Sequence, residues 1–406
     1  MLGILALAAA WGLAAALLWR TIVPDLDVPR LEPEPYFDRD DLERIDGFRA
    51  VTRSLWIASL VIEVAVLGAL VWKARPLAGT VRRAARGRVR TGVMLGLVAV
   101  LAVWLARLPV GAFRHEWDRR YGLSRQSFLD WFGDQAISVG VRGALVSVAV
   151  AGAVALAVRL GSRWWTVGAP ALVALAVVFV LAQPLLIQPL FNRFEPLTDR
   201  SLAREVTRVA DRMGVNVDTV EVADASRRTT AANAYVAGIG PTRRVVLYDT
   251  ILDGRFTTNE IVSVSAHELA HVDRRHLWKG LTWFALLVLP GLYVVARITE
   301  RRGGLRDPTL VPLALLIALG FYLATLPLQN AASRRYEAEA DWLALVMTKD
   351  VKAAISLDRR LVLTSLGDPD PPAWTKLFLA THPSAIDRIA MAEAFRTPPG
   401  PVTGRD

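Results

Sequence analysis

Residues 267–271 read His267-Glu268-Leu269-Ala270-His271. At about 3.6 residues per helical turn, positions 267 and 271 lie roughly 40° apart on one face, one turn above the other, so both imidazoles can reach a single metal ion. Glu268 stands roughly 100° round the helix from His267, beside such an ion and off it. From there its carboxylate can take a proton from a water whose pKa a zinc ion lowers to about 7. The flanking residues supply the helix that this geometry requires. Thr257-Thr258-Asn259-Glu260 reads as a capping box, and no Pro or Gly interrupts the run from there to His276. The continuation that would place Gly at 274 and a third His at 277 is missing. Arg274 and Leu277 stand there instead, so a third ligand has to come from another part of the chain.

Ser333-Arg334-Arg335-Tyr336-Glu337-Ala338-Glu339-Ala340-Asp341 offers it. Glu337 and Asp341 are four apart on a second predicted helix, one carboxylate for the metal and one to fix the orientation of a ligand His, with Glu339 the next candidate ligand. Taken alone, the same cluster also reads as a solvated helix face laced with Arg–Glu pairs. The absence of Cys excludes thiolate ligands, disulfides and cysteine nucleophiles together, which leaves His and carboxylates as the donors for a Zn2+ ion in each chain.

At 53% hydrophobic residues and a mean hydropathy of +0.35, the 406-residue chain is too apolar for an ordinary soluble enzyme, yet 21% of it is charged. That combination implies a mostly α, polytopic membrane protein with a substantial polar part. Nearly uncharged stretches at 2–19, 54–72, 92–108, 143–158, 164–187, 281–297 and 309–328 are seven candidate spans, the fourth of them short. No Lys or Arg precedes the first, which reads as a retained anchor and not a cleaved leader. Glu63 falls inside the second, where a carboxylate either lines a chamber or pairs with a basic group on a neighbouring helix. A net charge of +10 raises the question of nucleic acid, but the basic residues are spread over span-flanking loops and the polar part without a nucleic-acid motif. Anionic lipid headgroups account for them better. The preponderance of Arg over Lys, with Ala-rich helices, fits a GC-rich bacterial genome and hence a bacterial cell membrane.

The chain divides at about 187. Residues 1–187 form an N-terminal membrane region with about five spans, and 188–406 a polar domain interrupted by a span pair at about 281–328. In the first, the Pro- and acid-rich 24–50 reads as extramembrane and ending in a short helix, and 109–140 as a polar connector. His115-Glu116 in that connector is not a second zinc motif, because Arg119 stands where the other His is needed. The polar domain opens on a helix around 199–213 and continues with strand-like runs at 218–223, 232–238 and 243–249. The last two, joined through Gly240-Pro241-Thr242, should form a hairpin. The Pro/Gly-rich 397–404 reads as a disordered tail.

Further blocks follow in order along the chain: Tyr121-Gly122-Leu123-Ser124, the run from Pro189-Leu190-Phe191-Asn192 to Leu197, Asn233-Ala234-Tyr235, the run from Arg244 to Thr250, and Thr381-His382-Pro383-Ser384. With the two motifs above, they make the chain resemble, over most of its length, the M48 metallopeptidases, and within them the Ste24 branch, the CAAX prenyl protease 1 family. The resemblance implies about seven transmembrane helices around a large intramembrane chamber, closed at one end by a gluzincin-type α+β zinc peptidase domain at 188–406. It also implies that Asn233 and His382 line the reaction centre and that Arg388 supports it. Their chemistry is independently sensible, since an imidazole and an amide NH2 can donate to the oxyanion that develops at a peptide carbonyl. His382 alone would read as a surface His before a Pro-Ser helix start. The hairpin edge carrying Asn233 offers unpaired backbone groups to an extended substrate. The chain lacks the long acidic insertion of some eukaryotic members, and bacteria normally lack prenylated CAAX proteins, so the substrate does not follow from the resemblance.

Taken together, the residues read as an integral-membrane zinc endopeptidase: His267, His271 and Glu337 bind Zn2+, Glu268 activates water, Asp341 orients a ligand, and His382 with Asn233 steadies the transition state. Its partners are peptide or membrane-protein substrates and the bilayer, not nucleic acid, and nothing specifies an oligomer. Two rivals are a non-catalytic membrane scaffold or chaperone, which the intact Glu268 opposes, and a transporter, for which the spans lack paired Gly/Pro-broken segments in matching halves. Loop 73–91, with seven basic residues and no acid, has the mark of a cytoplasmic loop, and counting spans from it places the zinc domain outside. The family resemblance implies the reverse.

Overall fold

The computed structural model describes residues 2–396, and the predicted tail at 397–404 lies outside them. Every apolar stretch becomes helix, because in a bilayer the backbone N–H and C=O groups must be satisfied within their own segment. The N-terminal half runs α1 (Leu2–Trp19), α2 (Arg39–Trp72), α3 (Ala74–Ala85), α4 (Arg88–Arg120), α5 (Phe128–Leu160) and α6 (Trp165–Leu186). After α7 (Gln188–Phe191) come β1 (Phe194–Pro196), α8 (Arg200–Arg212), β2 (Thr219–Ala223), β3 (Ala234–Ala237), β4 (Arg244–Tyr248) and α9 (Thr258–Asp273). The chain then leaves along α10 (His276–Glu300), returns along α11 (Val311–Thr348), and ends with α12 (Val351–Ser365), α13 (Ala373–Phe378) and α14 (Ala385–Arg396).

Among the described residues six helices, α2, α4, α5, α6, α10 and α11, are long and apolar enough to cross a membrane. The remaining expected span is α1, in which Ala9–Trp19 forms a shorter apolar helix. It docks on the others through Trp11 Nε1, which donates to the Leu286 carbonyl at 3.0 Å, and through the Leu18 carbonyl, which accepts from the Tyr336 hydroxyl at 2.7 Å. The polar connector expected at 109–140 is corrected: α4 continues to Arg120 and α5 begins at Phe128, so only 121–127 link them. Hydropathy falls where these helices leave the apolar layer, but i,i+4 pairs such as Arg114–Asp118 at 2.8 Å keep the backbone helical. For the same reason the short helix expected at the end of 24–50 is the first part of α2, and the short fourth span lies within the 33 residues of α5.

Contacts between neighbours run α2, α4, α5, α6, α10, α11 and back to α2, closing a ring. Between α5, α6, α10 and α11 lies an apolar cavity of about 300 Å³, lined by Ala153, Leu172, Leu292 and Leu315 among others. Of the two readings of Glu63, the structure has the pairing one, with Oε2 at 2.8 Å from Arg107 Nη1 on α4.

The polar end carries a four-stranded sheet in the order β1-β2-β4-β3. β2 and β4 are parallel, the expected β3–β4 hairpin is antiparallel with Tyr235 opposite Val246, and β3 is an edge. β1 escapes sequence reading because it is three residues long and ends in Pro196, which an edge strand tolerates. One face of the sheet, α8, α9 and α11 share a core that includes Val206, Val245, Leu247, Leu269 and Ala340. A second core joins Phe37, Ile45 and Phe48 from the N-terminal region to Val362 of α12 and Ile389 of α14.

Candidate active site

The site is built on α9 and α11. Thr257 caps α9 as its sequence signature requires: its hydroxyl accepts from Glu260 N at 3.3 Å, and Glu260 Oε2 accepts from Thr257 N at 2.7 Å. Ala266 and Ala270 on α9 and Ala340 and Ala344 on α11 are buried in the core that the two helices share. Glu337, Asp341 and the apolar span belong to one continuous helix, α11, which explains how the chain returns to His267 after two passes.

The side chains converge tightly. His267 Nε2 lies 3.1 Å from His271 Nε2 and 3.2 Å from Glu337 Oε2, and His271 Nε2 is 3.6 Å from Glu337 Oε1. Behind them, His267 Nδ1 is 2.8 Å from Asp341 Oδ1. Arg388 grips both oxygens of Asp341, donating from Nε at 3.0 Å and from Nη2 at 2.7 Å, while its Nη1 faces Asp358 Oδ1 at 3.1 Å. His382 Nε2 reaches Glu337 Oε2 at 3.1 Å although the His382 side chain is 59% exposed, so it is open to a substrate and near the cluster at once.

His267, His271 and Glu337 could hold a metal ion, each offering one ligand atom within 4.8 Å of the others. The fit to zinc can be tested on the spacing: tetrahedral ligands with bonds of about 2.0–2.1 Å sit roughly 3.3 Å apart. The His267 Nε2–His271 Nε2 separation of 3.1 Å and the His267 Nε2–Glu337 Oε2 separation of 3.2 Å are close to that value, while His271 Nε2 lies 3.6 Å from the other Glu337 oxygen, Oε1. Glu337 Oε2 is buried and makes no hydrogen bond of acceptable geometry despite these close nitrogens, which leaves a lone pair for a cation. Electrostatics agree. Burial would lower the His267 imidazole, but the Asp341 carboxylate foremost, then Glu337 and Glu268, outweigh it and push it up to about 10, so the pocket favours positive charge. Burial raises the Glu268 carboxyl, against the pull of His267 and His271, as suits a proton acceptor.

Glu268 and His271 form one wall of a cavity of about 600 Å³ whose other wall is the β3 edge, with Tyr235, Val236 and Ile239. Asn233 is placed just before β3 and is exposed, and its Oδ1 accepts from Ala234 N at 2.9 Å, so it makes none of the hydrogen bonds of the cluster. Glu339 faces away from the ligand atoms, towards Arg274, His276 and Lys279. Sequence reasoning passed over His276 and Asp358. A signal existed for His276: the chain has only five His, and four of them meet in this cluster. Asp358 carries no motif, and only its position on α12 beside Arg388 reveals it.

Comparison with known proteins bears on the same residues. Residues 196–396 match the model of peptidase family M48, and residues 52–193 that of the CAAX prenyl protease N-terminal, five membrane helices. The chain is 31% identical over 317 residues, 75% of its own length and 74% of the relative's, to an uncharacterized metalloprotease, YhfN, of Bacillus subtilis (strain 168). It is 29% identical over 294 residues to the CAAX prenyl protease 1 homolog of Arabidopsis thaliana, covering 67% of this chain and 66% of that one. In fold it is similar to the crystal structure of S. mikatae Ste24p, with a TM-score of 0.77 over 95% of this chain and 97% of that one at 19% identity.

Proposed function

Because the chain belongs to peptidase family M48, as a Ste24/CAAX prenyl protease-like membrane metalloprotease, we propose that it is a zinc endopeptidase in which His267, His271 and Glu337 hold the metal. The observation that carries the proposal is the convergence of these three side chains within 4.8 Å, next to Glu268 and a cavity open to the β3 edge. Bound there, zinc supplies a Lewis acid for water and for the scissile carbonyl. Glu268 takes up the proton of the attacking water and returns it to the leaving amine. His382 donates to the oxyanion that develops on the carbonyl, with Asn233 at the mouth of the hairpin as its partner. Asp341, clamped by Arg388, fixes the tautomer and ring orientation of His267. An extended peptide pairs with the free edge of β3 and lies along the cavity between that strand and α9. The substrates are peptides or membrane-associated proteins of a bacterial cell membrane.

The test is hydrolysis of a quenched fluorescent peptide library by detergent-purified protein. Cleavage that a chelator abolishes and zinc restores is expected. Cleavage indifferent to the chelator, or none in zinc-replete protein, would overturn the proposal.

A further inference from the structure

The two ligand histidines are backed differently. His267 leans directly on a carboxylate, Asp341, at 2.8 Å. Among the described residues no carboxylate contacts the Nδ1 side of His271. Its Nδ1 lies 2.8 Å from Nδ1 of His276, the first residue of α10, and His276 Nε2 lies 2.9 Å from Glu339 Oε2. Both outer groups are interior, His276 at 7% and Glu339 at 0% exposure, and the His276 ring is stacked on Tyr336 with centroids 4.8 Å apart and planes at 16°. Glu339 is in turn held by Arg274 Nε at 3.0 Å, Lys279 Nζ at 3.1 Å and the backbone N–H of Ile22 at 3.0 Å. A carboxylate surrounded by that many donors is fixed in place and ionised, and it can only accept.

We infer that His276 and Glu339 form a second positioning relay, in which a carboxylate acts through an intervening histidine to hold His271 in its metal-binding tautomer and orientation. The direction of each hydrogen bond follows from the ends. His271 offers Nε2 to the metal, so its proton sits on Nδ1 and is donated to Nδ1 of His276. That nitrogen must then be bare, which leaves the His276 proton on Nε2, where Glu339 accepts it. The break between α9 and α10 serves this contact: Arg275 adopts a left-handed conformation, φ 55°, and turns the chain so that His276 faces back to His271. Because Ile22 follows α1, the relay also ties the N-terminal segment to the site. His276 and Glu339 touch neither metal nor substrate, so both act by positioning.

The inference rests on the zinc reading above, and zinc affinity separates the two. It is measured on full-length, detergent-purified protein by competition with a fluorescent zinc chelator. A wild type that binds no zinc would end the zinc reading and the relay with it. Given zinc binding in the wild type, His276→Phe, which keeps an aromatic ring on Tyr336 but removes both nitrogens, should weaken it about 10- to 100-fold. His276→Gln, whose side-chain carbonyl can accept from His271 Nδ1–H, should recover most of that loss. Equal affinity in wild type and His276→Phe, or a Gln variant as weak as the Phe variant, would overturn the relay. A readout free of any folding defect is the 15N spectrum of histidine-labelled, zinc-loaded wild type. There His276 should be a neutral Nε2–H tautomer with a bare Nδ1, and a proton on His276 Nδ1 would overturn the inference.

Discussion

His382 stands 59% exposed before a Pro-Ser helix start, which is the description of an ordinary surface residue, yet its Nε2 is 3.1 Å from Glu337. Nothing in the local sequence separates these two states, since the contact joins residues far apart in the chain. If His382 donates to the oxyanion, His382→Ala should leave zinc content and KM near wild type while kcat falls by roughly 10²–10³. Single-turnover and steady-state rates with one reporter peptide would check it. Loss of zinc in that variant would make His382 a ligand, and an unchanged kcat would return it to the surface reading. Asn233 is the contrasting case. Its Oδ1 accepts from Ala234 N, and the NH2 that would donate to an oxyanion takes no part in that bond.

Among the elements, α9 was the most legible, because everything that makes it is local: a Thr257–Glu260 capping box, an uninterrupted run, and His267 and His271 one turn apart. Its partner α11 was legible only in halves. Sequence reading saw an apolar span and a charged cluster, which the structure joins in the single helix Val311–Thr348 that packs on α9. The same limit hid the polar extensions of α2, α4 and α5, where hydropathy stops and the helix does not. β1 was invisible because its strand character comes from pairing with β2 and not from its own three residues. Ala340, on α11, is fully buried in the core that α9 and α11 share. Ala340→Leu should therefore force the helices apart, costing about 1–3 kcal/mol and lowering the midpoint of thermal unfolding by several degrees, with a matching loss of zinc affinity. An unchanged midpoint and affinity would show that the helices do not need this approach.

For the whole molecule, the ring of helices puts three turns at the end remote from the zinc site. α3 packs on the turn Pro308–Leu310, and Trp164 packs with Val295 and Leu305. These turns carry the seven basic residues of 73–91, Arg159 and Arg163, and Arg301, Arg302 and Arg306, with Glu300 and Asp307 the only acids. The positive-inside rule predicts that this end is cytoplasmic and the peptidase end outside, whereas the family resemblance implies the reverse. In this Cys-free background, a membrane-impermeant thiol reagent on intact cells should label Asp211→Cys, on the exposed side of α8, and spare Arg88→Cys at the start of α4. The reverse pattern would place the peptidase end in the cytosol. The central assignment, a zinc ion held by His267, His271 and Glu337 with Glu268 as the base, is tested most directly by zinc content measured beside peptidase activity in three proteins. Wild type should hold a single zinc per chain and cleave peptide. Glu268→Gln should keep the zinc while activity falls by roughly 10²–10⁴, and Glu337→Ala should lose both. Full zinc occupancy and activity in Glu337→Ala, or undiminished activity in Glu268→Gln, would contradict the assignment.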